Sequence, residues 1–190
     1  MPGASDAIAK VAHTIGGLSQ VAQQQRELTT SQPATAPSCE AILAALERFM
    51  ECVRYLNTRR SDGALLRLES EADVQDAIFL MLRAWVEDLV PENPTDRVAS
   101  RYTIKDFLSQ AAQAVIEAKF IRDKDHGRSI SKELHDDIET YRTHPSCRHL
   151  IFFIYDPNSL IPDQAALRRA IEVERTYAGR PLTCYLVIRP

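Results

Sequence analysis

The sequence of 190 residues lacks the features that mark several common classes of protein. No run of apolar residues approaches the ~20 that a membrane-spanning helix needs, so we expect no association with a membrane. The four cysteines form no Cys-x-x-Cys pair and have no histidine at metal-ligand spacing. This pattern disfavours a zinc site and favours reduced thiols in the cytoplasm. The first residues show no basic region followed by an apolar run, and we therefore expect no secretory signal.

The sequence also lacks an excess of positive charge, since its formal net charge is −3. A domain that binds nucleic acid usually shows a basic face, so any such face must be local here. Basic side chains flank a predicted pair of strands, and the alternative for each of them is a solvated surface. The candidates for contact with nucleic acid are Arg101, Lys105, Arg122, Lys124 and Arg128.

Length and composition predict one main domain, which we place at residues 38–190. Residues 1–37 are predicted to be a flexible or partner-dependent appendage that ends in a linker rich in Thr, Ser, Pro and Ala. Apolar residues in its first part recur at alternating spacings of three and four, which is typical of a helix that packs on a partner, on another copy or on the main domain. A disordered tail is the alternative, because Gly16 and Gly17 would weaken such a helix. The apolar positions are Ile8, Val11, Ile15, Leu18 and Ala22.

The hydrophobic patterning of the main domain predicts helices on either side of a mixed β-sheet, an α/β layered fold. Ser38 and Ser70 are predicted to cap the first two helices, and Met81 and Trp85 to point inward from the second. The loop Arg122–Arg128 is predicted to be polar. The predicted helices are Cys39–Arg59, Ser70 to about Asp88, Ser129 or Ser131 to about Thr143, and Asp163–Tyr177; the predicted strands are Tyr102–Leu108, Ala114–Phe120, His149–Tyr155 and Leu182–Ile188.

The strand pair of Tyr102–Leu108 and Ala114–Phe120 carries the candidate site. Strand side chains alternate between faces, so Glu117 and Lys119 share one face. If the turn is centred on Ala111 and Ala112, antiparallel pairing places Asp106 opposite Glu117. Opposed like charges are destabilising unless a cation lies between them, which predicts a metal site. Two alternatives stay open: a solvated edge with a simple ion pair, and a longer loop that shifts the register, because this turn lacks Asn-Gly or Asp-Gly.

The second helix offers two more candidates near its start. Glu71 and Gln75 are four residues apart, so they lie on one face and would reach the edge of the site if this helix packs beside the sheet. Acidic residues in a first helical turn often serve only the helix dipole, which is the alternative for this position.

Several segments, taken in order from about Glu40 to Pro190, resemble a known family of nucleases. The pattern of Asp106 followed by Glu117-Ala118-Lys119 resembles the PD-(D/E)xK nuclease superfamily. Within it, the chain is similar to the DpnII/MboI-type restriction endonuclease domain. The segments that carry this likeness are SEADVQDAIFLMLR (Ser70–Arg83), LVPENP (Leu89–Pro94), KDFL (Lys105–Leu108), VIEAK (Val115–Lys119), DDIETYRTHPSC (Asp136–Cys147) and LIFFIYDP (Leu150–Pro157).

This resemblance implies a restriction endonuclease-like core and a metal-dependent endonuclease that hydrolyses phosphodiester bonds in DNA. Asp106, Glu117 and Glu71 would hold Mg²⁺, for which Mn²⁺ would substitute. Lys119 would orient or help deprotonate the attacking water and offset the phosphate charge. Gln75 would position Glu71, and Glu133 stands where many relatives carry a Gln.

The biological setting that the resemblance implies is prokaryotic anti-phage defence or restriction. A homodimer or larger assembly, with or without a partner protein of a defence system, would compensate for the acidic overall charge. Two alternatives stay open: a catalytically silent module with a nuclease fold that binds or assembles, and a structure-specific or RNA-directed nuclease.

Overall fold

A computed structural model describes residues 37–58, 63–91 and 107–190. This part of the chain forms helices and strands in an alternating order, with a parallel core and antiparallel edges. The helices are α1 (Cys39–Glu47), α2 (Phe49–Asn57), α3 (Glu71–Arg83), α4 (Lys124–Tyr141) and α5 (Gln164–Ile171); the strands are β1 (Val90–Pro91), β2 (Phe107–Ser109), β3 (Ala114–Phe120), β4 (His149–Tyr155), β5 (Arg175–Tyr177) and β6 (Arg180–Arg189).

The strands form one six-stranded mixed sheet with the order β1-β2-β3-β4-β6-β5. Strands β3, β4 and β6 are parallel, whereas β1, β2 and β5 pair antiparallel with their neighbours. The predicted α/β fold with a mixed sheet is therefore confirmed. Strands β3 and β4 have the predicted bounds, and the central position of β6 agrees with its apolar sequence.

Two apolar cores lie on the two faces of the sheet. Helices α1 to α3 pack on one face, where β3 contributes Ala114, Ile116 and Ala118. Helices α4 and α5 pack on the other face, where β3 contributes Val115. Because side chains alternate along a strand, Glu117 and Lys119 point to the same face as Val115, toward α4.

The start of α3 is fixed by the predicted cap. The Ser70 hydroxyl accepts a hydrogen bond from the Asp73 backbone N–H at 3.2 Å and donates one to the Asp73 carboxylate at 2.8 Å. The same carboxylate accepts from the Glu69 N–H at 3.0 Å. These contacts make Glu71 the first residue of the helix. The helix ends at Arg83, earlier than predicted, and Trp85 is 39% exposed instead of pointing inward.

The turn between β2 and β3 is held by a residue from outside the hairpin. Phe107 pairs with Ile116 and Ser109 with Ala114, which is the predicted register. Four residues join the strands, and Gln113 has a positive φ of 49°. The Asp88 carboxylate accepts hydrogen bonds from the Ser109 hydroxyl at 2.8 Å and the Ala111 N–H at 2.7 Å. This clamp replaces the turn residues that the sequence lacks. Residues 102–106 of the predicted strand lie outside the described residues.

Two predicted helices have different bounds because local hydrogen bonds decide them. The predicted first helix is divided into α1 and α2 at Arg48, whose N–H donates to the Ala45 and Leu46 carbonyls. Helix α4 begins at Lys124 and not at Ser129 or Ser131. The Asp123 side chain accepts from the N–H groups of Asp125 and His126, at 3.0 and 2.8 Å, and so caps the helix earlier. The predicted polar loop is therefore largely the first turn of α4.

The predicted last helix also ends early. Helix α5 stops at Ile171, and Arg175–Tyr177 forms the edge strand β5. Arg175 pairs with Leu182 and Tyr177 with Arg180, so the tight turn at Ala178 and Gly179 returns the chain directly into β6. Both turn residues have positive φ angles.

All four cysteines lie in the described part of the chain, and all of them are free thiols. None of the described helices is long and apolar enough to cross a membrane.

Gly127 sets the position of α4 against the loop that follows β4. A Cβ atom at this position would lie 2.4 Å from the Leu160 carbonyl oxygen. That loop is fixed by Asp156, which is 1% exposed and accepts hydrogen bonds from the N–H groups of Leu160 and Ile161 at 2.8 and 3.0 Å. The helix and the loop therefore approach as closely as a glycine allows.

We predict that Gly127→Ala destabilises the fold by about 1–3 kcal/mol, the usual range for overpacking. An exposed helical Gly→Ala change would instead stabilise it by about 0.5–1 kcal/mol, so the sign is informative. Urea unfolding of the variant, with Lys132→Ala on the exposed side of the same helix as control, measures the effect. Unchanged or increased stability would contradict the close approach.

Candidate active site

Glu117 is a carboxylate buried within the sheet. It lies in β3 between β2 and β4 and is 4% exposed. The hydroxyl of Tyr141, near the end of α4, donates a hydrogen bond to its Oε1 atom. This placement excludes the alternative of a solvated strand edge. A buried carboxylate must be balanced by hydrogen bonds and positive charge, so its surroundings define the site.

Lys119 supplies positive charge beside this carboxylate. Its Nζ atom lies 3.0 Å from Asp137 Oδ2 and 3.9 Å from Glu117 Oε2. Burial lowers the pKa of Lys119, but the charges of Asp137, Glu117 and Glu71 and the hydrogen bond with Asp137 together raise it above its ordinary value. Lys119 is therefore a charged ammonium at neutral pH.

Asp137 is the residue of this group that the sequence does not reveal. Burial raises its pKa, and the nearby charge of Lys119 opposes that rise. The pattern of α4 places it on the polar surface, whereas its side chain is only 26% exposed. A signal is present, because Asp137 lies three residues after Leu134 and four before Tyr141, and both of these are buried.

A pocket of about 430 Å³ opens beside Lys119. It lies between the start of α3, the end of β3 and the first half of α4, so solvent or a ligand reaches the ammonium from this side. Glu71 is exposed here, as the predicted helical approach to the site requires. The pocket is lined by Glu69, Ser70, Glu71, Lys119, Phe120, Arg122, His126 and Glu133.

His126 is a second pocket residue that the sequence does not single out. It is 8% exposed and its Nε2 atom lies 3.4 Å from Glu133 Oε2. Its Nδ1 atom accepts a hydrogen bond from the Arg122 N–H at 3.4 Å. Glu133, predicted as a supporting residue, thus lines the pocket at its α4 side. His126 reaches the pocket because α4 begins at Lys124, and the sequence pattern does not indicate this early start.

The remaining candidates occupy different surroundings. Gln75 is half-buried on α3, one turn after Glu71, and does not line the pocket. Arg122 and Lys124 are exposed, and Arg122 lines the pocket. Arg128 is exposed, lies 3.3 Å from the Asp125 carboxylate and lines a separate groove of about 290 Å³ beside α5. Asp106, Arg101 and Lys105 lie outside the described residues.

The carboxylates of the site suit a hard divalent cation. Glu117 and Glu71 both act on the charge of Lys119, and both offer oxygen atoms, the ligands that Mg²⁺ prefers. Among the described residues, no group of three or more His, Cys, Asp or Glu side chains is placed to hold a metal ion. The oxygen atoms of Glu117 and Glu71 fit such an ion, but a further carboxylate would be needed to complete the site.

The comparison with known proteins agrees with the fold. Residues 40–185 match the model of the DpnII-MboI family, described as REase_DpnII-MboI. No curated protein and no solved structure gives a match. The matched range covers most of the chain and includes both β3 and α4, and membership implies a nuclease that acts on DNA. The chain belongs to the DpnII-MboI family of restriction endonucleases.

Proposed function

We propose that this protein is a Mg²⁺-dependent endonuclease that hydrolyses phosphodiester bonds in DNA, with Mn²⁺ able to replace Mg²⁺. It acts in the cytoplasm as an effector of prokaryotic restriction or anti-phage defence. The observation that carries this proposal is a buried carboxylate, Glu117, beside the ammonium of Lys119 at the edge of an open pocket. Family membership supports the class of reaction.

Asp106, Glu117 and Glu71 hold the cation in this proposal. Phe107 of β2 pairs with Ile116 of β3. Continued by one residue, this register would bring Asp106 opposite Glu117, which supports the choice of these ligands. Mg²⁺ held by these residues would neutralise charge at the phosphate and would make a water molecule more acidic. Gln75 and Glu133 support the ligands from α3 and α4.

Lys119 acts on the attacking water from its place beside the carboxylates, 3.9 Å from Glu117 Oε2. It orients the attacking water by donating a hydrogen bond and offsets the negative charge of the phosphate in the transition state.

DNA is bound by a local basic surface and by assembly. Arg122 at the pocket contacts the phosphate nearest the cut, while Lys124, Arg128, Arg101 and Lys105 contact its neighbours. Because the net charge is −3, a single copy of the protein binds DNA weakly. A homodimer or larger assembly, formed through residues 1–37 or with a defence partner, strengthens it.

We predict that Glu117→Gln and Asp106→Asn each abolish Mg²⁺-dependent cleavage. Loss of an outer-shell partner of a metal ligand already costs about 10–100-fold, so loss of a ligand should cost more. The assay incubates purified protein with plasmid, single-stranded DNA and RNA in Mg²⁺, Mn²⁺ or chelator. Asp136→Asn, an exposed acid on α4, is the matched control.

The same assay separates the proposal from its alternatives. Cleavage of RNA alone would replace DNA as the substrate. Full cleavage by either variant would remove that residue from the site, and wild-type protein without any cleavage would leave only a binding module with a nuclease fold.

We predict that Lys119→Met lowers the rate of cleavage much more than the affinity for Mg²⁺. The variant removes a positive charge beside the carboxylates, so metal binding should be retained or tightened while the transition state loses its cation. Isothermal titration with Mg²⁺ and single-turnover cleavage measure the two effects separately. Lost Mg²⁺ affinity with a normal cleavage rate would contradict this role.

We predict that deletion of residues 1–36 lowers the oligomeric state while residues 37–190 remain folded. Light scattering gives the mass of each form, and circular dichroism gives the helix content of the shortened chain. An assembly of unchanged stoichiometry would exclude the N-terminal segment as the assembly element.

A further inference from the structure

Helix α4 presents one polar side chain to each of the two functional side chains of β3. Tyr141 contacts Glu117, and Asp137 contacts Lys119. Residues four apart on a helix are separated by about 6.0 Å along its axis. Residues two apart on a strand are separated by about 6.6 Å. The two spacings match, so an antiparallel helix and strand bring both pairs into contact at once.

The first contact fixes the direction of the Glu117 carboxylate. Tyr141 is 1% exposed and packs with Leu134 and Ile138 in the core between α4 and the sheet, which restricts the position of its ring. Its hydroxyl donates to Oε1, while Oε2 is the oxygen that faces Lys119 at 3.9 Å. The hydrogen bond therefore orients the carboxylate, so that Oε1 faces Tyr141 and Oε2 faces the ammonium.

The second contact fixes the position of the Lys119 ammonium. Asp137 Oδ2 is the nearer of its two carboxylate partners, at 3.0 Å against 3.9 Å for Glu117. A mostly buried lysine needs such a partner. Because Asp137 takes the closer contact, Glu117 lies at the longer distance of 3.9 Å from the ammonium.

We propose that Tyr141 and Asp137 are positioning residues of the active site: Tyr141 orients the Glu117 carboxylate toward the cation, and Asp137 holds the Lys119 ammonium beside that carboxylate. This inference rests on the proposed function, because it assigns these residues to the same site. Neither residue lines the pocket beside Lys119.

A purely structural role is the competing explanation. Buried hydrogen bonds and ion pairs serve to satisfy polar groups, and apolar replacements of such pairs are often no less stable. Stability alone therefore does not separate the two explanations. The two explanations are separated by measuring Mg²⁺ affinity and by comparing how much each substitution changes metal binding and how much it changes turnover.

The first test is Tyr141→Phe, which removes one hydroxyl group and preserves the ring. The Mg²⁺ affinity of the protein without DNA, measured by isothermal titration, should fall by about 10–100-fold. Cleavage should fall at low Mg²⁺ and return to the wild-type maximum at saturating Mg²⁺. Tyr177→Phe, on the edge strand β5, is the matched control and should change neither quantity.

The second test is Asp137→Asn, which removes the charge and preserves the shape. Here Mg²⁺ affinity should change little, whereas the maximal cleavage rate at saturating Mg²⁺ should fall by about tenfold or more. Asp137→Glu, which restores the carboxylate, should recover part of that rate. The neighbouring Asp136→Asn is the control, because that side chain is exposed.

Thermal unfolding in chelator accompanies both tests, and activity is compared at a temperature well below every melting transition. Wild-type metal affinity and cleavage in both variants would overturn the inference while the proposed function stands. Losses that occur only in proportion to unfolded protein would overturn it as well. Wild-type protein that neither binds Mg²⁺ nor cuts nucleic acid would overturn the proposed function and the inference with it.

Discussion

Lys119 and the carboxylates of Glu117 and Asp137 meet where β3 faces α4, and much of the architecture keeps them together. Glu117 and Lys119 point from β3 toward α4, where Asp137 lies 3.0 Å from the ammonium. Each of these groups would be costly to bury alone. Helix α4 must therefore keep its position, which the Asp123 cap and the close approach of Gly127 to Leu160 provide. The fold and the site depend on the same contacts.

The arrangement also explains on which side the described part of the site opens. The sheet and α4 enclose Glu117, while Lys119 reaches a pocket bounded by the start of α3 and by Arg122 and His126. Solvent has access from the side of Glu71. The acidic overall charge is consistent with the proposed function, in which a divalent cation would contribute positive charge beside Glu117 and Glu71.

Much of the sheet and the central pair of the site could be predicted from the sequence. Strand β4 is a continuous apolar run, and side chains alternate between faces along β3, so the strand period alone places Glu117 and Lys119 on one face. Ser70 and Asp73 fixed the start of α3 through local hydrogen bonds, and this placed Glu71. These features depend on residues close together in the chain, which is why pattern suffices.

The rest depends on contacts between distant residues. Asp137 and Tyr141 meet β3 only because α4 packs antiparallel across it. The helical spacing indicates that Tyr141 points inward and that Asp137 lies near buried positions, but it does not reveal their partners on β3. The Asp88 clamp joins residues more than twenty positions apart, so the turn without Asn-Gly gave no sign of its stability. The segment Arg122–Arg128 is rich in charge and resembles a loop in sequence. Most of it is helical, because Asp123 caps α4 and the helix begins at Lys124. His126 enters the pocket for that reason.

The central claim is that Glu117 belongs to a divalent-cation site. The most direct measurement is the anomalous scattering of a crystal grown with Mn²⁺. We expect a peak within coordinating distance of the Glu117 carboxylate and beside the Asp106 carboxylate. An anomalous map with no peak at Glu117, in a crystal whose lattice leaves the pocket open to solvent, would contradict the account.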